Sequence, residues 1–151
     1  MKFTWITQGG FILKSASFRL AIDPYLSDFV EKKSGVTRMV QPVFSVDSLK
    51  PDAIFCTHDH IDHFDPGTVP EIAQKFHDCI FAGPASVVKK ALESGIENSR
   101  ILKAEKSVPM KLGPFEIIPV VAFHSDKDAV GIIISCEGKT IYISGNSEYS
   151  E

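Results

Sequence analysis

Hydrophobic and polar residues alternate over short stretches at the start of the chain, with the two-residue period that is typical of β-strands. Residues 2–7 (KFTWIT) and 11–15 (FILKS) flank a Gly-Gly pair, which predicts a tight turn between two neighbouring strands. Residues 18–23 (FRLAID) predict a third strand, which must end before Pro24 because proline restricts the residue that precedes it. The chain therefore begins with three short strands.

A less regular segment follows, and then a continuous apolar run. Residues 25–50 lack clean periodicity and carry scattered charges, which predicts a long loop or an insertion with short helices. Long loops inside compact domains are often functional. Residues 52–57 (DAIFCT) are typical of a strand buried on both faces. Ligands commonly bind beyond the carboxyl ends of such strands, so the residues after position 57 are candidates for a site.

Two helices are predicted in the middle of the chain. Residues 68–76 begin with Thr68 and Glu71 at the spacing of a capping box, followed by helical apolar spacing. A short strand at 79–82 precedes a second helix at 84–95, which starts at a proline and stops at a glycine. One apolar stripe of the second helix is expected to face a sheet: Val87, Val88, Ala91 and Leu92.

From position 100 onward the pattern is that of β-structure. Five strands are predicted, separated by Gly-Pro and Glu-Gly turns, at residues 100–104, 108–112, 115–123, 129–135 and 139–144. The order is thus β-rich, then β-α-β-α, then a run of β. It predicts an α/β or α+β chain with its strands gathered into sheets, and no linker divides it.

Composition narrows the classes of function. The 151 residues are 44% apolar and 23% charged, an ordinary balance for a soluble domain. The net charge of −3, without a basic run or basic-aromatic patch, argues against nucleic acid as a partner. No apolar stretch has the length of a membrane span or of a signal peptide's apolar region, so we expect a cytoplasmic protein without a membrane partner. Three cysteines with apolar neighbours and no C-x-x-C pair predict reduced core thiols rather than a metal or catalytic thiol.

The segment FCTHDHIDHFD, residues 55–65, concentrates groups that bind metals. It holds three of the chain's five histidines, in the pattern His58-x-His60-x-Asp62-His63. Imidazole suits zinc, and also iron, nickel and manganese. His58 and His60 are two residues apart, so in an extended segment they point the same way and can share one metal. Asp62 and His63 follow the bend and can serve a second metal, about 3.5–4 Å from the first in two-metal hydrolases. The alternative is a polar, hydrogen-bonded turn that binds no metal.

Several stretches resemble the metallo-β-lactamase superfamily. The segment THDHIDH resembles its His-x-His-x-Asp-His signature. The opening hairpin with its Asp-Pro-Tyr stretch, and the later segments VVAFHS and IYISGNSEYS, resemble the branch that contains L-ascorbate-6-phosphate lactonase. The resemblance implies an αββα sandwich with metals in a groove at one edge of the sheets. It also implies that His58, His60 and His124 hold a first metal, while Asp62 and His63 hold a second.

The sequence departs from that family pattern at two points. Asn146 stands where the resemblance places a carboxylate that bridges both metals, and an amide oxygen is the weaker ligand. The later histidine and the second half of the sandwich are absent from the 151 residues, so we expect one incomplete domain, residues 1–151. Three imidazoles with an open position are typical of catalytic zinc, so occupancy is expected to favour the first site.

The resemblance implies a hydrolase in which a metal-bound hydroxide attacks a lactone or other ester. One or two zinc ions are expected, with manganese or iron as alternatives. Asp62 would orient or activate the hydroxide, and Asp59 is either a solvated loop acid or an oxygen near the metal-bound water. Three alternatives remain open: a metal-binding but inactive fragment or subunit that needs a partner chain, a phosphodiesterase, and a redox or iron-binding relative.

Other residues carry weaker expectations. Asp23 is either a turn residue or a support for a ligand histidine, and Asp65 is expected to shape the turn before the first helix. Arg38 either meets an anionic small-molecule substrate or is a solvated charge, and His77 is interpreted as an ordinary helix residue. Half a sandwich leaves an apolar sheet face uncovered, so we expect another copy or a complementing chain to cover it.

Overall fold

The computed structural model describes residues 1–148. Tyr149 and Ser150, which end the segment IYISGNSEYS, and Glu151 lie outside the described residues. The strands are β1 Lys2–Thr7, β2 Gly10–Ser15, β3 Phe18–Ile22, β4 Ala53–Phe55, β5 Ile80–Gly83, β6 Ile101–Lys103, β7 Met110–Leu112, β8 Phe115–Val121, β9 Val130–Cys136 and β10 Lys139–Ile143. The helices are α1 Phe29–Ser34, α2 Val46–Leu49, α3 Val69–Lys75 and α4 Ala85–Glu93, with a 3₁₀ turn at Asn98–Arg100.

A six-stranded mixed sheet carries the first part of the chain. Its strands follow the order β1-β2-β3-β4-β5-β6. The first three are antiparallel neighbours, which confirms the predicted hairpin, while β3, β4, β5 and β6 run parallel. Ala53, Ile54 and Phe55 of β4 are at most 1% exposed, which confirms the strand buried on both faces. The parallel strands end at one edge of the sheet, so the segment after β4 begins there.

A second, four-stranded antiparallel sheet packs on the first, in the order β10-β9-β8-β7. Apolar residues between the two sheets form one core, which includes Leu20, Phe55, Ile117 and Ile132. The opposite face of the six-stranded sheet packs against α2, α3 and α4 in another core. The layers are therefore helix, sheet and sheet. This confirms the predicted mixed α/β class, whereas a single incomplete domain over residues 1–151 stays a prediction.

Three local predictions are wrong in detail. Thr68 makes no capping hydrogen bond to α3, because its hydroxyl donates to the Asp65 carboxylate instead. The helix ends at Lys75, so His77 lies in an exposed turn rather than on the helix. Leu92 of the predicted apolar stripe is 45% exposed, whereas Val87 and Ala91 are buried against the sheet. The segment 25–50 contains two short helices, which agrees with the second of the two alternatives for it, an insertion with short helices.

The three cysteines of the chain lie in its core. Cys56, Cys79 and Cys136 are free and buried, which confirms the core thiols. Burial raises the pKa of Cys79 to about 12 and that of Cys56 well above its ordinary value. Among residues 1–148, no helix is long and apolar enough to cross a membrane.

Candidate metal centre

The histidine-rich segment begins at the carboxyl end of β4. The N–H groups of His63 and Phe64 both donate to the carbonyl oxygen of His60, at 2.9 and 2.8 Å, so the chain makes one tight turn there. Thr57 and His58 lie between the end of β4 and this turn, and the chain already bends at both residues. A short run of backbone thus presents three imidazoles to one side of the sheet edge.

A histidine that is distant in sequence, His124, forms a group of three with His58 and His60. His124 lies in the loop between β8 and β9, and its Nε2 is 3.1 Å from Nδ1 of His60. The ring centroid of His58 lies 4.7 Å from that of His60 and 4.5 Å from that of His124. One ring nitrogen of each of the three residues lies within 4.8 Å of the others. The structure therefore brings together the three residues that the resemblance assigned to a first metal.

The hydrogen bonding of these rings fits a metal better than a bonded turn. Nδ1 of His58 lies 3.0 Å from the Thr57 hydroxyl, but Nε2 of His58 is buried without a hydrogen-bond partner among the described residues. Buried polar groups are normally paired, and an unpaired one requires an explanation. Burial, and then the neighbouring imidazole of His63, lower the pKa of His58 to about 3. His58 is therefore neutral at pH 7, with a lone pair free to bind a cation.

Asp62 and His63 form a second group beside the first. Oδ2 of Asp62 lies 3.6 Å from Nε2 of His63, and the His63 ring centroid lies 4.0 Å from that of His58. Asn146 is exposed and lines a cavity of about 290 Å³ together with Gly9, Asp23 and His63. The assignment of Asp62, His63 and Asn146 to a second metal stays a prediction.

The buried carboxylate of Asp23 supports both groups. It accepts the Thr57 N–H and the Thr57 hydroxyl, each at 2.7 Å, and its Oδ2 lies 2.9 Å from Nδ1 of His63. The contact with His63 has the distance of an ion pair without the alignment of a hydrogen bond. Burial lowers the pKa of His63, but the carboxylates of Asp23 and Asp62 raise it more, so the net shift is upward. The structure favours the interpretation of Asp23 as a support for a ligand histidine.

Asp59 points towards α4. Its carboxylate lies 3.8 Å from the Lys90 ammonium, and its carbonyl oxygen accepts a hydrogen bond from Lys90 at 2.6 Å. The side chain is 30% exposed, and an ion pair of this kind contributes little to stability. Its proposed role near a metal-bound water stays a prediction.

Asp65 shapes the turn before α3, as predicted. The side chain is fully buried and accepts the backbone N–H groups of Leu26, Ser27 and Gly67. It also accepts the hydroxyl groups of Ser27 and Thr68. These bonds fasten the segment after β3 to the end of the histidine-rich segment. The carboxylate thus has a structural duty and few acceptor positions left for a metal.

Arg38 is not a solvated charge, so that interpretation is wrong. The residue is 7% exposed, and its guanidinium donates to the carbonyl oxygens of Tyr25 and Ser27. The guanidinium carbon also lies 4.2 Å from the ring centroid of Tyr25. A cation packed on an aromatic face with carbonyl partners holds the loop in place. A contact with an anionic substrate stays a prediction.

Two residues of the centre escaped sequence reasoning. The Asp126 carboxylate accepts the N–H of Asp59 at 3.3 Å, and Oε1 of Glu148 lies 3.9 Å from Nδ1 of His124. Asp126 follows His124 by two residues, and this nearness to a ligand histidine was the only available signal. No periodicity marks a contact across 67 positions.

One protein family and several curated proteins match this chain in sequence. The family described as "Beta-lactamase superfamily domain" matches residues 19–151. A UPF0173 metal-dependent hydrolase from Pyrobaculum islandicum is 29% identical over 150 residues, which cover 97% of this chain and 62% of that protein. A probable L-ascorbate-6-phosphate lactonase from Escherichia fergusonii is 28% identical over 120 residues, which cover 66% of this chain and 34% of that protein. The chain thus spans about three fifths of the length of the former and one third of the latter.

Solved structures show the same fold. Igni18, described as a novel metallo hydrolase from Ignicoccus hospitalis, superposes with a TM-score of 0.72 at 21% identity. The superposition covers 96% of this chain and 60% of that one. At this identity the likeness shows the fold alone.

Proposed function

We propose that this chain, which belongs to the Beta-lactamase superfamily, binds a metal ion with His58, His60 and His124 and hydrolyses a lactone or other ester. The single observation that carries the proposal is the buried Nε2 of His58, which has no hydrogen-bond partner among residues 1–148, in a group of three histidines that each place one ring nitrogen within 4.8 Å of the others. The names of the two relatives, a metal-dependent hydrolase and a probable lactonase, support the class of reaction and the first choice of substrate.

Zinc is the proposed metal, because three imidazoles with an open position are its usual catalytic ligand set. Manganese and iron are the alternatives to be measured. When bound, the metal would supply a Lewis acid that lowers the pKa of a water molecule and polarises a carbonyl oxygen. A preference for the first site follows from three imidazoles there against the carboxylate, imidazole and neutral amide of Asp62, His63 and Asn146.

The chain's own side chains would perform the remaining tasks. Neutral His58 offers its nitrogen at pH 7 without first losing a proton. Asp62, 29% exposed and beside His63, can accept a hydrogen bond from the attacking water and orient it. Asp23 holds His63 by charge and holds the Thr57-His58 backbone by its hydrogen bonds from Thr57. Rigid ligands of this kind keep the reacting groups in position.

Metal content and hydrolysis test the proposal together. The wild-type chain, loaded with zinc and passed through a desalting column, is expected to retain about one ion, measured by mass spectrometry. His124→Gln should lose that ion and any lactone hydrolysis. His77→Gln should keep both, because His77 lies in an exposed turn before β5, at the opposite end of the parallel strands from the histidine segment. Equal zinc retention by wild type and His124→Gln would contradict the assignment. A phosphodiester assayed beside the lactone separates the two substrate classes.

A metal-binding but inactive module is the second candidate. The observation that favours it is the exposed, neutral Asn146 at the cavity that His63 lines, where a bridging carboxylate was expected. Under this candidate the wild-type chain binds zinc without turnover, and Asn146→Asp raises retention towards two ions. Turnover by the unaltered chain would exclude it.

Exposed apolar side chains on the outer face of the four-stranded sheet favour a partner chain. Ile118 and Tyr142 are 38% and 59% exposed, and both lie opposite Ile133 in the strand register. We propose that a second copy or a complementing chain covers this face, since contiguous exposed apolar surface marks interaction sites. Sedimentation should show an assembly at concentrations well above micromolar, and a monomer there would contradict the proposal.

The three reduced thiols support a reducing compartment, which we propose is the cytoplasm.

A further inference from the structure

Both peptide groups that flank Asp59 are held by side chains from elsewhere in the fold. Asp59 stands between the two ligand histidines of the first segment, His58 and His60. Its N–H donates to Oδ2 of Asp126 at 3.3 Å, and its carbonyl oxygen accepts from Nζ of Lys90 at 2.6 Å. The backbone between the two ligands is therefore fixed on both sides.

Asp126 connects this backbone to the third ligand. It follows His124 by two residues, in the loop between β8 and β9. Its Oδ2 also accepts the Ser86 hydroxyl at 2.6 Å, and its Oδ1 accepts the Asp128 N–H at 2.8 Å. One carboxylate thus joins three segments: the loop of His58 and His60, the loop of His124, and α4.

Helix α4 supplies the two outer anchors from one face. Ser86 and Lys90 are four residues apart, so their side chains lie on the same side of the helix, one turn from each other. A glycine allows the helix to approach this closely. A Cβ at Gly83 would lie 2.7 Å from the carbonyl oxygen of Cys56 and 2.5 Å from Cγ1 of Val87, closer than real contacts allow. The start of α4 therefore packs directly on the strand end that leads into the histidine segment.

We propose that Asp126, anchored by Ser86 and working with Lys90, positions His58, His60 and His124 for the metal. The inference rests on the proposed metal site. Residues that do not bind the metal themselves would hold the three ligand histidines in place before the metal binds. A zinc ion needs its nitrogen ligands at about 2.0–2.1 Å. Two independent loops would have to be ordered on binding, and a bridge that orders them beforehand strengthens binding. Asp59 serves this bridge through its backbone.

Zinc affinity, measured by competition with a chromophoric chelator, tests the proposal on the full chain. Loss of residues that orient ligands typically weakens metal binding about 10–100-fold, and we expect that loss for Asp126→Ala. Ser86→Ala should give a smaller loss, and it should add nothing in the Asp126→Ala background, because it acts through that carboxylate. Lys90→Met should weaken binding in either background.

Controls separate positioning from charge and from stability. Asp128→Asn removes a charge from the same loop while leaving the Asp126 bridge, and Lys89→Met removes an ammonium group on α4 that is 78% exposed. Both should bind zinc within about twofold of wild type. The metal-free Ser86→Ala chain should stay folded, with a melting temperature lowered only by the loss of one hydrogen bond to a carboxylate. The visible spectrum of its cobalt form should shift, which a loss of stability alone would not cause.

The outcomes are distinct. Equal zinc affinity for wild type, Ser86→Ala and Asp126→Ala overturns the inference while the metal site stands. A wild-type chain that binds no zinc overturns both. If Asp126→Ala does not fold, Ser86→Ala and Lys90→Met decide the question, and unchanged affinity in both overturns the inference.

Discussion

Asp23→Asn is the most informative single substitution outside the proposed ligands. Asp23 is 1% exposed and receives two hydrogen bonds from Thr57, which is itself fully buried. It also has a positive φ of 44°, a backbone conformation that asparagine tolerates well. The substitution therefore changes the charge and one oxygen while keeping the size of the side chain and the local backbone.

The expected loss follows from these contacts. Hydrogen bonds to a charged group are worth about 1.5–3 kcal/mol each, against about 1 kcal/mol for neutral ones. The amide can keep the bond from the Thr57 N–H as a neutral bond. It cannot keep the charge beside His63, and its NH₂ group stands where the Thr57 hydroxyl donated. We expect the free energy of unfolding to fall by about 2–4 kcal/mol, a large fraction of the stability of a domain of this size.

Urea unfolding of the metal-free chain at pH 7 measures this loss by linear extrapolation. Asp52→Asn is the matched control, because Asp52 also accepts a backbone N–H, that of Arg19 at 2.7 Å, but is exposed. The control should lose less than about 1 kcal/mol. Equal losses of stability for the two substitutions would contradict a role of the buried carboxylate in anchoring the histidine segment.

Two further predictions concern titration in the metal-free chain. The folded pKa of His63 is raised, so its stabilisation is fully present below about pH 6.5 and is lost as the pH rises through the folded value. His58 acts in the opposite sense, because its folded pKa of about 3 makes the unfolded chain bind more protons between about pH 3 and 6.5. The free energy of unfolding should therefore pass through a maximum near pH 6.5, and His63→Gln should flatten its alkaline limb; an unchanged limb would contradict the assignment. The Cys79 thiol, with a pKa of about 12, should ionise in roughly one molecule in ten thousand at pH 8, so Ellman's reagent should label it only after urea is added.

Local patterns predicted the frame of the fold, for physical reasons that the structure displays. Alternation and the Gly-Gly pair predicted the hairpin, although both faces of β2 are covered: Ile12 packs in the core beneath the helices and Leu13 in the core between the sheets. The continuous apolar run predicted β4, because both of its faces are covered. The resemblance added His124, which no spacing could connect to His58.

The errors and omissions came from contacts that act across the chain. Thr68 and Glu71 had the capping spacing, but Asp65 takes the Thr68 hydroxyl in three dimensions. A solvated loop charge was one interpretation of Arg38 from its local sequence, but its guanidinium donates to a backbone carbonyl oxygen, that of Tyr25. Asp126 looked like an ordinary loop acid, because its partners come from two other elements of the fold.

Anomalous scattering at the zinc edge, from crystals of the loaded chain, would locate the metal directly. One strong peak is expected within bonding distance of ring nitrogens of His58, His60 and His124, with a weaker peak or none near Asp62 and His63. A fully occupied position at Asp62 and His63 beside an empty position among the three imidazoles would contradict this expectation.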